Sequence, residues 1–297
     1  MKKVLILVLT AVLFLASSCV TKNLFGDKEY FQALGREGEI VITLNAELLD
    51  LNSLIQTEDK AVKFILNRMT RFSIALNDPS GTVGSVVKDL SKFSFGGAIE
   101  GSYPKTLVSS ALSVSETFTR LRDEATGLTY YADADNSLQI AVPEKNLILF
   151  SSSGLSENYS RTYTDRLTLI SDEDAARLSA SQIGIYVYKP KTMLDFGFDI
   201  TRSALKNIQS ILLFMNDETV SIDFRMESEE LADSFSILIK SDYIGNLKRE
   251  GKKVDIASLK KMFTQELSTV SVNGMPLSNE QAASIRQTVL TLLDFLK

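Results

Sequence analysis

The chain has 297 residues, with 32 lysines and arginines against 37 aspartates and glutamates, so its net charge is −5 at neutral pH. It has no histidine, no tryptophan and a single cysteine. These counts exclude Ser-His-Asp and Cys-His catalysis and zinc sites built on histidine, and the acidic balance argues against a nucleic-acid-binding protein. No catalytic residue, cofactor or metal site is predicted, and an enzyme built from this chain would depend on carboxylate, lysine, tyrosine, serine or threonine side chains.

Residues 1–18 have the layout of a secretory signal peptide. Lys2 and Lys3 precede an apolar run over residues 4–15, and small residues then lead to Cys19. The run is shorter than the about 20 apolar residues that a membrane-spanning helix needs. The alternatives are a plain signal peptide with an incidental cysteine and an uncleaved anchor.

The stretch "FLASSC", residues 14–19, resembles the lipobox of bacterial lipoproteins. In that family the cysteine receives a diacylglyceryl group, the signal peptide is removed before it, and its amine is acylated, for example with palmitate. Ala16 stands where the usual box has leucine, and this relaxed form is similar to the lipoboxes of spirochaetes. The resemblance implies that acylated Cys19 anchors the protein to a membrane, because two or three acyl chains hold stably.

The residue after the cysteine bears on location in the envelope. In enteric bacteria an aspartate at this position retains lipoproteins at the inner membrane, whereas this chain has Val20. By that resemblance the outer membrane is favoured, with the protein facing the periplasm or the cell surface. Residues 19–38 are expected to form a lipidated tether.

The body is predicted to begin with a strand at "EIVITLN", residues 39–45. The segment "DKAVKFILNRMTRF", residues 59–72, predicts a helix, and "SIALND" is a further strand candidate. "KFSFGGAIEG", residues 92–101, predicts a strand whose glycines indicate a bulge or a close backbone approach. A helix is expected after Pro104, with Leu107, Ala111 and Val114 continuing its apolar face.

Four short strands, "TFTRLRD", "GLTYYAD", "SLQIAVP" and "NLILFSS", are predicted to form a meander. Ser171 is expected to cap the next helix, with Asp174 in the capping-box position. Near the end, "ASLKKMFTQEL" predicts a helix, and "STVSVNGMPLS" predicts a strand with a turn at Asn273-Gly274. Ser278 and Gln281 form a second capping box before the last helix.

Segments in the second part of the chain resemble earlier ones. "ALKNIQSILLFMND", residues 204–217, aligns with "ILNRMTRFSIALND", residues 65–78. The sequence therefore predicts an α+β fold of mixed strands and amphipathic helices, in two degenerate repeats of strand-helix-strand-strand-helix, with a first half at 39–170 and a second half at 171–297. The alternative is that amphipathic helices in general look alike.

Two short motifs are better explained without a catalytic or metal-binding role. Ser102 and Lys105 have the Ser-x-x-Lys spacing of penicillin-recognising enzymes, but the partner Lys-Thr-Gly motif is absent, so a chance match is favoured. "DADNS", residues 133–137, has alternating acids as calcium loops do, but it lacks their glycine and closing glutamate. A turn between strands is the favoured interpretation.

Two apolar helical stripes could be core or could face lipid. The candidate lipid-facing residues are Leu231, Phe235, Leu238, Ile239, Ile285, Val289, Leu292 and Leu296. A lipid-facing role would resemble treponemal outer-membrane lipoproteins with amphipathic helices.

The sequence thus favours a non-enzymatic envelope lipoprotein with a binding or assembly role. Its expected partners are the membrane, through acylated Cys19, and either a lipid or an envelope protein. A lipid-binding or membrane-interacting lipoprotein is the first alternative, and a hydrolase using carboxylates or a Ser/Lys pair is the second.

Overall fold

A computed structural model describes residues 29–51, 55, 58, 60–77, 93–162, 168–191, 198 and 200–293. The strands are β1 (Ile40–Asn45), β2 (Met69–Asn77), β3 (Ser94–Gly101), β4 (Phe118–Arg122), β5 (Thr129–Asp133), β6 (Gln139–Glu144), β7 (Leu147–Ser151), β8 (Ile183–Tyr188), β9 (Ile208–Asn216), β10 (Thr219–Met226), β11 (Phe263–Glu266) and β12 (Thr269–Pro276). The helices are a 3₁₀ helix (Tyr30–Ala33) and α1 (Lys60–Leu66), α2 (Lys105–Val114), α3 (Leu155–Ser160), α4 (Asp172–Ser179), α5 (Arg202–Leu205), α6 (Glu229–Arg249), α7 (Ile256–Met262) and α8 (Asn279–Leu293).

Within these ranges the strands form one sheet in the order β11-β12-β10-β9-β8-β1-β2-β3-β7-β6-β5-β4. Neighbouring strands pair antiparallel throughout. The predicted α+β class is confirmed. The predicted meander forms β4 to β7, and β1 and β8 pair at the centre of the sheet.

Both faces of the central strands carry apolar side chains. In β1, Ile40, Ile42 and Leu44 point to one face, which we call the front face, and Val41 points to the other, the back face. The front face is covered by α1, α6 and α8, with α2 and α7 at its margins. The back face is covered by the 3₁₀ helix, α3 and α4, which are all short.

The two halves of the sheet are built alike. β1, α1, β2, β3 and α2 follow one another in the same order as β8, α5, β9, β10 and α6. β2 and β9 are both nine residues long. The β2–β3 register shifts between Met69 and Arg71, and the β9–β10 register shifts at the corresponding end, where Met226 pairs with Ile208. The domain limits 39–170 and 171–297 stay a prediction.

Three predicted elements differ from the structure. The helix expected over residues 59–72 ends at Leu66, and β2 begins at Met69. From Arg71 onward, large apolar residues alternate with smaller or polar ones, and this two-residue period fits a strand. The helix expected at "ASLKKMFTQEL" ends at Met262, after which β11 begins. Asn273 and Gly274 lie within β12 rather than at a turn, and the register opposite them shifts in β10.

Two further expectations are corrected by burial. The inward face of α2 is formed by Val108 and Leu112, whereas Leu107 and Val114 are 53% and 82% exposed. Residues 29–38, expected to be tether, belong to the folded body, where Phe31 is fully buried against the back face.

Two ion pairs attach α4 to the back face of the sheet. Asp174, almost fully buried, accepts two hydrogen bonds from the Arg225 guanidinium in β10, at 2.6 and 2.5 Å. One turn further along α4, Arg177 lies 2.7 Å from the buried Asp223 and stacks over the Phe214 ring. Ser171 caps the helix as predicted, donating to Asp174 and accepting from its backbone N–H.

Asp174→Ala is expected to lower the free energy of unfolding by about 3 kcal/mol, because it leaves the Arg225 guanidinium without its buried partner. The measurement is urea denaturation followed by circular dichroism. Glu37→Ala, which removes an exposed ion pair to Lys189, is the matched control and should change little. Equal effects of the two substitutions would contradict a structural role for the buried pair.

Candidate functional site

A polar cavity of about 180 Å³ opens at one end of the back face. Its walls are the segment that joins the 3₁₀ helix to β1, the end of β2, the start of β3, and α3. The residues lining it are Ala33, Leu34, Gly35, Arg36, Glu39, Ala75, Asn77, Ser94, Phe95, Gly96, Ser153, Gly154, Glu157, Asn158, Arg161 and Thr162. The cavity thus lies where the 3₁₀ helix and α3 both cover the sheet without filling the space between them.

The floor of the cavity exists because two strand residues are small. Ala75 in β2 and Gly96 in β3 pair directly across the ladder. A Cβ atom at Gly96 would lie 2.6 Å from Asn158 Nδ2, so a larger residue would have to displace that amide. The absence of a side chain at Gly96 therefore lets the Asn158 amide lie over the sheet.

An ion pair links the two walls at the surface. Arg36 Nη2 lies 2.6 Å from Glu157 Oε1, and both side chains are about half exposed or more. Arg36 precedes β1 and Glu157 lies in α3, so this contact joins segments 121 residues apart. Exposed pairs of this kind are weak, and the link can open at little cost.

Two further charged groups line the same cavity without neutralising each other by direct contact. Arg161 Nη2 donates a 3.3 Å hydrogen bond to the Gly35 carbonyl oxygen. Burial raises the pKa of the Glu39 carboxyl, and the nearby Arg36 and Arg161 guanidinium groups offset part of that shift. Within the described ranges, neither Glu39 nor Arg161 forms an ion pair closer than 4.0 Å.

This arrangement can bind a small polar molecule. Besides the exposed Arg36–Glu157 pair, it offers the charges of Glu39 and Arg161, two amide groups and hydroxyl groups around a space of about 180 Å³. No group of three or more cysteine, aspartate or glutamate residues among the described residues is placed to hold a metal ion.

No pattern in the sequence predicts this site. No helix was predicted at α3, because its residues "LSENYS" show no apolar periodicity. The local signal that was present is Gly154, which precedes the helix with a φ of 67°, a conformation that glycine adopts readily. The other walls come from distant parts of the chain.

The candidate lipid-facing residues lie mainly in the core. Phe235, Ile239, Val289 and Leu292 are buried between the helices and the front face, as the core-packing alternative expected. Leu231 and Ile285 are partly buried against the same cluster. Leu238 is 36% exposed. Exposing the buried stripe to lipid would require the helices to leave the sheet, and the lipid-facing role stays a prediction.

Cys19 and Leu296 lie outside the described residues, so the lipidation site stays a prediction. The Lys105 ammonium donates a 2.6 Å hydrogen bond to the Pro143 carbonyl, which gives this lysine a partner other than Ser102. Asp133 accepts hydrogen bonds from the backbone and hydroxyl of Ser137, as expected for a turn between β5 and β6.

Glu100 in β3 has a buried carboxylate oxygen and shares the nearby Arg71 with Glu29. Arg71 lies between Glu29, 3.6 Å away, and Glu100, 3.7 Å away. One carboxylate oxygen of Glu100 is buried without a hydrogen-bond partner among the described residues. Burial raises the pKa of Glu100 to about 7, with a further contribution from the like charge of Glu29 and an opposing one from Arg71.

Comparisons with known proteins give the fold but no family. No family model matches the chain, and no curated protein matches it in sequence. Solved structures of TP0453, a spirochaete protein, are similar. Crystal form IV aligns with a TM-score of 0.53 at 14% identity, over 90% of this chain and 100% of that chain. Crystal form I aligns with a TM-score of 0.51 at 12% identity, over 89% and 98%. At this identity the likeness shows a common fold.

Within the described part of the chain, no helix combines the length and apolar character that a membrane crossing requires.

Glu100→Gln is expected to stabilise the protein at about pH 8 and to have little effect at about pH 4. The carboxyl binds its proton more tightly when folded, with a pKa of about 7 against an ordinary value of 4.5. Its contribution to stability is therefore lost as the pH rises between these two values. The measurement is the difference in urea-unfolding free energy between variant and native protein across this range.

Glu116→Gln, a substitution of an exposed glutamate before β4, is the matched control. A Glu100→Gln effect that is the same at all pH values would refute the assignment.

Proposed function

We propose that this protein is a non-enzymatic lipoprotein of the bacterial envelope that binds a small polar ligand in the back-face cavity. The observation on which binding rests is the cavity itself, where Arg161 and Glu39 face one space without a mutual ion pair. Charged groups left in this state near a cleft are typical of binding sites.

Membrane attachment through Cys19 is the second part of the proposal. It is supported by the lipobox-like sequence "FLASSC", residues 14–19. The ten residues from Cys19 to Glu29 span at most about 35 Å when fully extended. An acylated Cys19 would therefore keep the body close to the membrane.

The spirochaete source of the similar structures supports the same view, because the relaxed box with Ala16 is similar to those of spirochaetes. Outer-membrane placement follows from Val20 only by analogy with enteric sorting, and we propose it on that ground.

Cys19→Ala is expected to abolish incorporation of a palmitate analogue during growth and to move the protein out of the membrane fraction. Ser18→Ala is the matched control, because it changes the neighbouring residue and keeps it small. The readouts are label on the purified full-length protein and its distribution after ultracentrifugation. Labelling that survives Cys19→Ala would refute lipidation at this residue.

A second candidate function is contact with lipid through the front-face helices. Beyond the buried stripe, these helices expose large apolar side chains to solvent: Leu107 and Val114 in α2, Ile237 in α6 and Ile256 in α7. Val114 is 82% and Ile237 70% exposed, more than packing against the sheet requires. Exposed apolar groups of this kind favour contact with a membrane surface or a protein partner.

Under this second candidate, the chain from residue 20 onward should float with liposomes without its acyl anchor. The double substitution Val114→Asp and Ile237→Asp should abolish flotation, because it places charges where apolar groups would enter the interface. The double substitution Ser110→Asp and Ser241→Asp is the matched control, since it adds the same charge at exposed polar positions on the same helices. No flotation of the native chain would reject the candidate.

A further inference from the structure

The charges around the cavity divide into two pairs with different environments. Arg36 and Glu157 neutralise each other at 2.6 Å, at the exposed mouth. Glu39 and Arg161 face the same space, yet they are farther apart than the 4.0 Å of a direct ion pair. The Glu39 carboxylate and the Arg161 guanidinium therefore both line the cavity without direct contact.

A ligand with a single charge would satisfy only one of these groups. An anion bound at Arg161 would face the carboxylate of Glu39, and a cation bound at Glu39 would face the Arg161 guanidinium. A ligand that carries both charges a few ångströms apart would pair with both residues. It would thereby offset the free-energy cost of burying their charges. The lining therefore favours a zwitterion over a simple ion.

The present partners of both groups leave them able to bind. The Arg161 hydrogen bond to the Gly35 carbonyl is 3.3 Å long, at the weak end of the range for N–H···O contacts. Glu39 accepts a hydrogen bond from the Arg36 backbone, which leaves further acceptor positions on its carboxylate. Both side chains can therefore contact a ligand while keeping these contacts.

The size and polarity of the cavity limit the class of ligand that can bind. A volume of about 180 Å³ lies below the about 300–1,000 Å³ that is typical of pockets for drug-sized molecules, so the ligand must be smaller. Beyond the charges, the amide groups of Asn77 and Asn158 and the hydroxyl groups of Ser94 and Ser153 line it. These groups suit a ligand of about ten non-hydrogen atoms or fewer with a short polar side chain.

We propose that the cavity binds a free α-amino acid with a small polar side chain, its ammonium at Glu39 and its carboxylate at Arg161. This inference rests on the binding role proposed above and names the ligand class for that site. The exposed Arg36–Glu157 pair also lines this cavity, and it can shift at little cost when a ligand enters.

Isothermal titration calorimetry of the full-length protein in detergent tests the proposal, with L-asparagine and L-serine as probes. Acetate and 2-aminoethanol, which carry one charge each, are the comparison ligands. At least one amino acid should bind, and both single-charge compounds should bind at least about tenfold more weakly. No binding of either amino acid at about 10 mM, or acetate binding as tightly, would overturn the proposal.

Substitutions of the two residues then test the assigned contacts. Glu39→Gln and Arg161→Gln should each weaken amino-acid binding at least about tenfold, since each removes one charge from the site. Glu37→Gln is the matched control, because Glu37 is exposed and lies outside the cavity lining. Unchanged binding by both cavity variants, at native melting temperature, would overturn the assignment.

The experiment separates this inference from the anchoring proposal. Labelling at Cys19 with no amino-acid binding would refute the ligand and leave the lipoprotein assignment standing. Binding by a protein whose label survives Cys19→Ala would support the ligand and refute the anchor.

Discussion

The structure depends on one constraint: the central strands of its sheet are apolar on both faces. In β1, Ile42 and Leu44 must be buried by elements that pack on the front face, and Val41 must be buried by elements that pack on the back face. Long helices such as α6 meet this need on the front face. On the back face the described part of the chain supplies a 3₁₀ helix, α3 and α4, of four, six and eight residues. Segments this short do not cover the whole back face, and the cavity is the space left between the 3₁₀ helix and α3.

Short helices are unstable alone, so the segments on the back face need tertiary contacts to stay in place. Buried apolar residues provide part of this, as Phe31 does for the 3₁₀ helix. Ion pairs to buried carboxylates add to this, because Asp174 and Arg177 attach α4 to β10, whereas the exposed Arg36–Glu157 pair contributes little. The cavity is polar because charged and amide side chains of the segment before β1 and of α3 line it.

Local signals in the sequence predicted what depends on neighbouring residues. The second capping box forms as expected, with Gln281 Oε1 accepting from the Ser278 backbone and the Ser278 hydroxyl accepting from Gln281 N–H. The close approach expected at the β3 glycines is present, because a Cβ at Gly97 would lie 2.3 Å from the Ser73 carbonyl. Each of these follows from spacing of a few residues or from a glycine within a strand.

What could not be predicted depends on strand register and on contacts between distant segments. The Asp174 carboxylate was expected to close a capping box, but it pairs with Arg225, 51 residues away. Met69 fits an apolar helical face and a strand start equally well, so only pairing with β3 decides between them. The cavity joins Glu39, Gly96 and Arg161, which no local pattern connects.

Among the described strands, β4 and β11 stand at the two ends of the sheet. An open edge presents unpaired backbone groups on which another chain can add a strand, and aggregation often begins there. In β4 the exposed residues include Arg120 and Arg122. Two copies that met along this edge would bring these like charges close together, and the repulsion opposes pairing. Charged arginines at an end strand therefore disfavour extension of the sheet from one molecule to the next.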